Sequence, residues 1–428
     1  MPGARLVAAA IASFGALSLW TGPAVAATLL PRPTSAGSAL GYTAPEATPY
    51  VTARAVVHYV TSGPQAPPLT DTDADGVPDY VEQVGAAADT AFAYYQLHGF
   101  RLPARDTGGP DTKPDIYIDT LPNGVLGFTV APASAEGGTF VIVAPTLDMS
   151  PTNPRGSVKI TVAHELFHVI QYSYVRSGKV PVWAAEGSAS AMSMLVYPDV
   201  QDKVMKDYLD AWLQTPWLPL YDEKSGCVHC YGGAWWWLYL ADESRKVLPS
   251  YFAKLGADDQ RGVSTRIGIN QLDSSLRASK LGSLFQVFSR FSLNLYRRGL
   301  PLGKPYSLKG SSTARTTRVR AVFGLSTQYV PIRVPARSRG LVVSVPSGRG
   351  PAPEVSLVVG GPKGRRVVGK PFRPGQGTIL STTFRSERER RNVVLIVTGG
   401  RANGALYAVQ YVALGEHEKL PTWVVFPG

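Results

Sequence analysis

The chain has 428 residues, 44% hydrophobic, 17% charged and 10% aromatic, which is too long for one ordinary domain and rich enough in apolar side chains for folded cores. This excludes a disordered or low-complexity protein, and 2 cysteines exclude a disulfide-dense scaffold or a Cys-ligated metal or iron–sulfur protein. The formal charge of +12 is unevenly placed: beyond residue 300 stand 20 Lys and Arg against 5 Asp and Glu, and before it 23 against 26. Arginines scattered over the last third without a stacking-aromatic motif fit an anionic cell-surface polymer or plain solubility better than a nucleic-acid groove.

The N-terminus reads as an export signal. Arg5 supplies the positive region, residues 6–20 the apolar stretch, and Pro23 breaks the helix ahead of Ala24-Val25-Ala26, a small-x-small cleavage site. Residues 1–26 are therefore expected to be a signal peptide, with the mature chain starting near Ala27. The stretch is too short and too interrupted by Ser and Gly to span a bilayer, and no later segment approaches that length. The expected location is secreted, where disulfides form and calcium is available. Residues 27–50, rich in Pro, Ser, Ala and Thr and without periodicity, read as a linker or short pro-segment.

A first domain is expected over residues 51–305, opening with a strand at 53–60. Residues 71–82 (DTDADGVPDYVE) fit the twelve-residue calcium loop, with carboxylates at positions 1, 3, 5, 9 and 12 and Gly76 at position 6. Asp71, Asp73, Asp75 and Glu82 offer hard oxygen ligands, Val77 its carbonyl, and Asp79 a carboxylate acting directly or through water. The alternative is a merely solvated acidic turn; five acids in register with the glycine favour calcium. The preceding segment is extended and Pro-rich, so the loop is a half-motif, a structural clasp at the start of a helix over 80–100.

Strands are expected at 115–120 and 139–144, then a strong helix at 157–174 carrying His164-Glu165-Leu166-Phe167-His168. Residues four apart share a helix face, so both imidazoles can bind one metal ion, with Glu165 beside them to take a proton from the water it activates. A third ligand is needed. Gln171 and Tyr174 stand where a metzincin has Gly and His, which excludes that branch. Glu186, eighteen positions after His168 in Val182-Trp183-Ala184-Ala185-Glu186-Gly187, suits a helix, a turn and a second helix (184–196) packed back on the first.

Further helices are expected at 199–213, 233–243 and 283–297. Cys227-Val228-His229-Cys230 lacks the context of a redox motif and the remaining ligands of a zinc site, and in an oxidising compartment a local disulfide is expected. His229 and Tyr231 lie in and beside this pair, just before the Gly232-Gly233 turn, and packing is at least an equal account of both. His58, His98 and His417 are isolated and read as structural or surface residues. After about residue 306, short Val, Ile and Leu runs between Pro and Gly turns indicate a basic, all-β sandwich-like domain over 306–428.

The metal motifs resemble the gluzincin branch of the zinc peptidases, HExxH with a downstream Glu, and most of all a group of secreted bacterial metallopeptidases reading HELFH-x-x-Q and W-x-x-E-G. The resemblance spans roughly residues 50–300. It implies an α+β, zincin-like metallopeptidase domain, with a mixed sheet, an active-site helix, a helical lower lobe and an antiparallel edge strand above the metal, for which 139–144 is the candidate. It also implies a zinc metalloendopeptidase acting on protein or peptide substrates, with zinc on His164, His168 and Glu186 and with Glu165 as the base. Because that branch places a Tyr or His of the lower lobe at the oxyanion, the resemblance also implies His229 or Tyr231 as candidate donors; no matched motif assigns the role, and the interval to Glu186 is shorter than those commonest in that branch. The rival reading is a calcium-stabilised cell-surface or polymer-binding protein with a catalytically silent HExxH core. Neither reading calls for nucleic acid or a membrane span.

Overall fold

The computed structural model describes residues 32–34, 38, 41–103, 112–121, 125–131, 138–147, 154–200, 202–223, 227–263, 267–300, 302, 306–307, 315–318, 324–345, 354–362, 366–368, 378–399 and 408–414. The expected signal peptide, the cleavage site and His417 lie outside them. The chain divides into two units, Met1–Ala211 with Glu223–Lys280, and Trp212–Asp222 with Leu281–Gly428.

The first unit is built on a five-stranded mixed sheet of β1 (Tyr50–Val51), β2 (Val56–His58), β3 (Asp115–Ile118), β4 (Gly127–Val130) and β5 (Phe140–Val143), in the order β1-β2-β3-β5-β4. β2, β3 and β5 run parallel, with β1 and β4 antiparallel at the two edges. All four residues of β5 are buried, as expected of a central strand covered on both faces. The edge-strand expectation for 139–144 is therefore corrected: β5 is internal, and the edge belongs to Gly127–Val130. A strand of four apolar residues needs partners on both sides, whereas β4 tolerates an edge because its Gly127 and Phe128 are only partly buried.

Eight helices follow among the described residues: α1 (Asp79–Leu97), α2 (Pro154–Tyr174), α3 (Val182–Val196), α4 (Lys203–Leu213, which runs past the unit's boundary at Ala211), α5 (Val228–Gly232), α6 (Ala234–Glu243), α7 (Val247–Gln260) and α8 (Ile269–Ala278). Small residues on the inner face of α1 (Ala87, Ala88, Ala91) let it lie close to its neighbours, and Tyr95 reaches through to donate its hydroxyl to the Ala163 carbonyl of α2 at 2.6 Å. α7 and α8 were not expected from the sequence. Pro249 falls in the first turn of α7, where no amide donor is missed. Gly256 is required by packing: a Cβ there would stand 2.2 Å from the Tyr174 carbonyl oxygen of α2.

Part of the 27–50 segment is tied to this sheet. The Arg32 guanidinium pairs with fully buried Asp115, and His58 bridges Glu46 (2.5 Å) and Asp115 (3.1 Å) while stacking on Tyr117. Gln65 donates to the Gly41 carbonyl and to Asp119, both at 2.9 Å. His58 is thus structural and buried, and His98 stacks on Tyr94 at 3.8 Å.

The second unit holds two sheets. One has the order β11-β10-β13-β8-β6, from β6 (Tyr306–Ser307), β8 (Thr327–Arg333), β10 (Glu354–Val359), β11 (Arg366–Val368) and β13 (Val393–Thr398). The other has the order β12-β9-β14-β7, from β7 (Arg315–Arg318), β9 (Gly340–Val345), β12 (Thr378–Thr383) and β14 (Ala408–Leu414). Every pairing is antiparallel except β6 with β8. One apolar cluster draws Ile332, Leu357 and Leu395 from the first sheet and Leu341, Val343 and Leu380 from the second, which is the core of a sandwich. The unit is not purely β. Helix α9 (Leu284–Arg297), opened by the Ser283–Gln286 capping box, packs Leu293 and Tyr296 against Val358, Val394 and Ile396, and a short α10 (Glu387–Arg391) precedes β13. Among the described residues no helix is long and apolar enough to cross a membrane.

Candidate metal centre

Helices α2 and α3 bring His164, His168 and Glu186 together, with one ligand atom of each lying within 4.8 Å of the others. The two Nε2 atoms are 3.1 Å apart, and Glu186 Oε2 is 3.2 Å from His164 Nε2 and 3.5 Å from His168 Nε2. Both imidazoles are 7% exposed. Burial opposes protonation of His168, yet the Glu186 carboxylate, aided by Glu165 and Gln171, pushes it up to about 9. Burial likewise opposes ionisation of Glu186, but His168 and His164 hold its carboxyl well below the usual range. A field that favours a proton here favours any cation. Two imidazole nitrogens and one carboxylate oxygen form a donor set suited to zinc, leaving a coordination position open.

Gln171 sets the tautomer of His168. Its amide nitrogen donates to the Ala185 carbonyl (2.9 Å) and the Ser188 hydroxyl (3.1 Å) of α3, so Oε1 faces His168 and accepts from Nδ1–H at 2.9 Å. Nε2 of His168 is thereby left to accept a proton or a metal. Behind Glu186, a Cβ on Gly187 would stand 2.9 Å from the Trp237 indole and 3.0 Å from the Cys230 carbonyl oxygen, so glycine lets α5 and α6 close on α3. Trp183 anchors the start of α3 by donating to the Ile267 carbonyl (2.9 Å) and stacking on Trp237.

Glu165 is held from the sheet side. The Thr129 hydroxyl of β4 lies 2.7 Å from Glu165 Oε2 and 2.9 Å from its carbonyl oxygen. A Cβ at Gly127 would fall 2.6 Å from Glu165 Cγ, so only glycine allows the strand to pass so close to the carboxylate.

Tyr231, on α5, stacks on His164 (5.7 Å between ring centres) and on Tyr208 of α4 (4.7 Å). The Glu186 charge, with burial behind it, raises the Tyr231 hydroxyl well above its ordinary range, so it is a neutral donor beside the cluster. Tyr208 is pushed up to about 12 by burial, Glu186 and Asp202. Burial, with Glu186 and Glu165, also raises Tyr172. His229, 2% exposed, is buried within the same short helix, and the Cys227 and Cys230 sulfurs are at disulfide distance with their Cα atoms 4.7 Å apart. Sequence reasoning missed Thr129, Tyr172 and Tyr208. Tyr172 had a signal, since it stands four residues after His168 on the same helical face; Thr129 and Tyr208 are brought in only by folding.

In the 71–82 loop, carboxylate oxygens of Asp71, Asp73 and Asp75 lie within 4.8 Å of one another. Gly76, at φ 92°, donates its amide to Asp71 (2.9 Å), and Val77 donates to Asp75 (2.8 Å). Asp79 accepts from the Thr72 amide and hydroxyl, at 2.9 and 2.5 Å. Burial and the charges of Asp73, Asp75, Asp79 and Asp71 raise the Glu82 carboxyl. The structure thus brings three of the five carboxylates, Asp71, Asp73 and Asp75, into one cluster, with Asp79 turned to Thr72.

The chain matches no protein-family model and no curated protein.

Proposed function

We propose that the chain is a secreted zinc metalloendopeptidase of the gluzincin type. The observation that supports this is the convergence of His164, His168 and Glu186 beside Glu165, with two helices and one edge strand contributing to a single cluster of polar side chains. Zinc, when bound, would supply a Lewis acid that polarises a peptide carbonyl and acidifies water. Glu165, oriented by Thr129, accepts the proton from the attacking water and returns it to the leaving amine. Tyr231 donates its hydroxyl to the oxygen on which charge develops once a substrate draws that hydroxyl from Glu186. Gln171 keeps His168 in the ligating tautomer. The 71–82 loop is proposed to hold calcium through Asp71, Asp73, Asp75, Glu82, the Val77 carbonyl and Asp79, with a structural role. The basic second unit is proposed to hold the protein on an anionic cell-surface polymer.

Metal analysis of the purified protein with a peptide-library digest tests the reading. One zinc per chain, lost in His164→Ala and in His168→Ala, and hydrolysis lost with zinc retained in Glu165→Gln, are the expected outcomes. Full zinc occupancy in both His variants overturns it. Zinc binding without cleavage of any library member would favour the silent-core alternative.

A further inference from the structure

The end of α9 and the start of α10 meet over a cleft of about 400 Å³ in the second unit, lined by Arg297, Arg298, Arg388, Gly360, Gly361 and Asn392. All three arginines are exposed, and among the described residues none is ion-paired. The carboxylates nearest in sequence are already committed: Glu389 pairs with Arg366, and Glu387 with Arg390 and Arg391. The glycine amides donate to the Asn392 carbonyl, at 2.9 and 3.3 Å, and the Asn392 amide donates to the Arg388 carbonyl. The cleft's positive field therefore comes from guanidinium groups alone. Three like charges around one concavity repel each other, and the concave wall focuses their field on whatever enters.

An adjoining cleft of about 250 Å³ shares Pro362 and Asn392 and adds exposed Arg333 and the Glu387-paired Arg391 beside apolar, buried Ile332 and Val393. Charge, a less polar floor and charge again suit a chain with spaced anionic groups better than a single small ion. Among the described residues the one aromatic lining either cleft, Tyr296, is 1% exposed, so none of them offers an open ring on which a base could stack.

We propose that this arginine cleft is the binding site for the phosphate or sulfate groups of an anionic cell-surface polymer. It rests on the polymer-binding reading of the second unit and assigns that reading to Arg297, Arg298 and Arg388, whose planar forks match the oxygens of such groups.

The test measures affinity of the full-length protein, across a salt series, for an oligo(glycerol phosphate), a sulfated oligosaccharide and a single-stranded DNA of equal charge. Combined Arg297→Ala, Arg298→Ala and Arg388→Ala should weaken binding of the first or second probe by about tenfold or more and flatten the salt dependence by about two to three charges. A matched loss of charge elsewhere on the unit (Arg337→Ala, Arg339→Ala and Arg385→Ala) should change affinity by less than about twofold. Arg388→Ala alone should weaken binding about threefold, and serves if the triple variant does not fold. Tighter binding of the phosphate or of the sulfate probe supports the site and tells which group it takes. Equal losses in the two triple variants overturn the cleft and leave polymer binding as a diffuse property of the unit. Tightest binding of the DNA overturns the ligand class, and no binding of any probe by the unaltered protein overturns the polymer reading and the cleft with it.

Discussion

Gln171 is fully buried between α2 and α3, and its amide is saturated by Ala185, Ser188 and His168. Gln171→Leu keeps the volume but removes the acceptor for His168 Nδ1–H; zinc affinity is expected to fall about 10- to 100-fold, as read by competition with a chelator. Thr129→Val should leave zinc content unchanged while lowering kcat, because the hydroxyl that reaches the Glu165 carboxylate and backbone carbonyl is lost while the contacts of His164, His168 and Glu186 remain. A third prediction at this scale concerns pH. Burial opposes protonation of His58, but hydrogen bonds to Asp115 and Glu46 outweigh it and raise the imidazole above 6.5. A group whose folded value is raised contributes stability that is complete below its unfolded value and is lost as pH climbs through the folded one. Glu46 and Asp115 bond the two ring nitrogens of His58, Tyr117 stacks on the ring, and Arg32 pairs with the same Asp115. With zinc and calcium saturating, the melting temperature should therefore fall as pH rises above 6.5, and His58→Gln should flatten that slope.

At the scale of elements, the 71–82 loop and β4 act on different parts of the first unit. Clustered carboxylates repel one another unless a divalent cation neutralises them, and the loop leads directly into α1, whose Tyr80 donates to the Ala144 carbonyl at the end of β5 (2.6 Å). Calcium bound only to the folded state would add about 2.7 kcal/mol at a free concentration a hundred times Kd. Removing it with a chelator that spares zinc should lower the melting temperature and open residues 60–85 to proteolysis. Asp71→Ala should reproduce both effects with zinc content intact; stability indifferent to calcium and to that substitution would count against the clasp. Gly127→Ala tests β4. The added methyl must displace either the strand or the Glu165 side chain, costing about 1–3 kcal/mol by overpacking and reducing hydrolysis more than metal binding.

For the whole molecule, the placement of α9 and of residues 212–222 matters most. Leu220 donates to the Leu325 carbonyl (3.0 Å), Thr327 donates to Pro216 (2.8 Å), and Trp212 lies against Phe291, so a stretch from the middle of the chain belongs to the second unit. A chain cut at residue 310 would keep α9 while deleting Val358, Val394 and Ile396, the strand residues that bury Tyr296. We expect that truncated chain to aggregate or to melt well below the full-length protein, as thermal unfolding and light scattering would show. A cleanly folded, equally stable product would mean that the second unit is dispensable to the first.

The HExxH helix, the acidic loop and the strand-rich final third were legible because each is a local pattern: His164 and His168 are one helical turn apart, the loop acids alternate around Gly76, and the last strands are short apolar runs between turns. Glu186 was legible from its interval alone, since a helix, a turn and a helix return the chain to its starting level. Other features depend on residues far apart in sequence, which no periodicity records. β4 took the edge that the more apolar β5 seemed to offer, because burial on every residue of β5 demanded a partner on each side. α7 formed through Pro249 and Gly256 because packing against α2 favours a residue without a side chain where propensity reads a break. α9 joined the sandwich because its apolar face is complementary to β10 and β13, though its helical pattern resembles that of the helices before it. Spacing by itself determined which side chains share a helix face or a loop; tertiary structure alone decided which strand, which tyrosine and which helix came to stand beside them, because burial is satisfied by whatever surface fits.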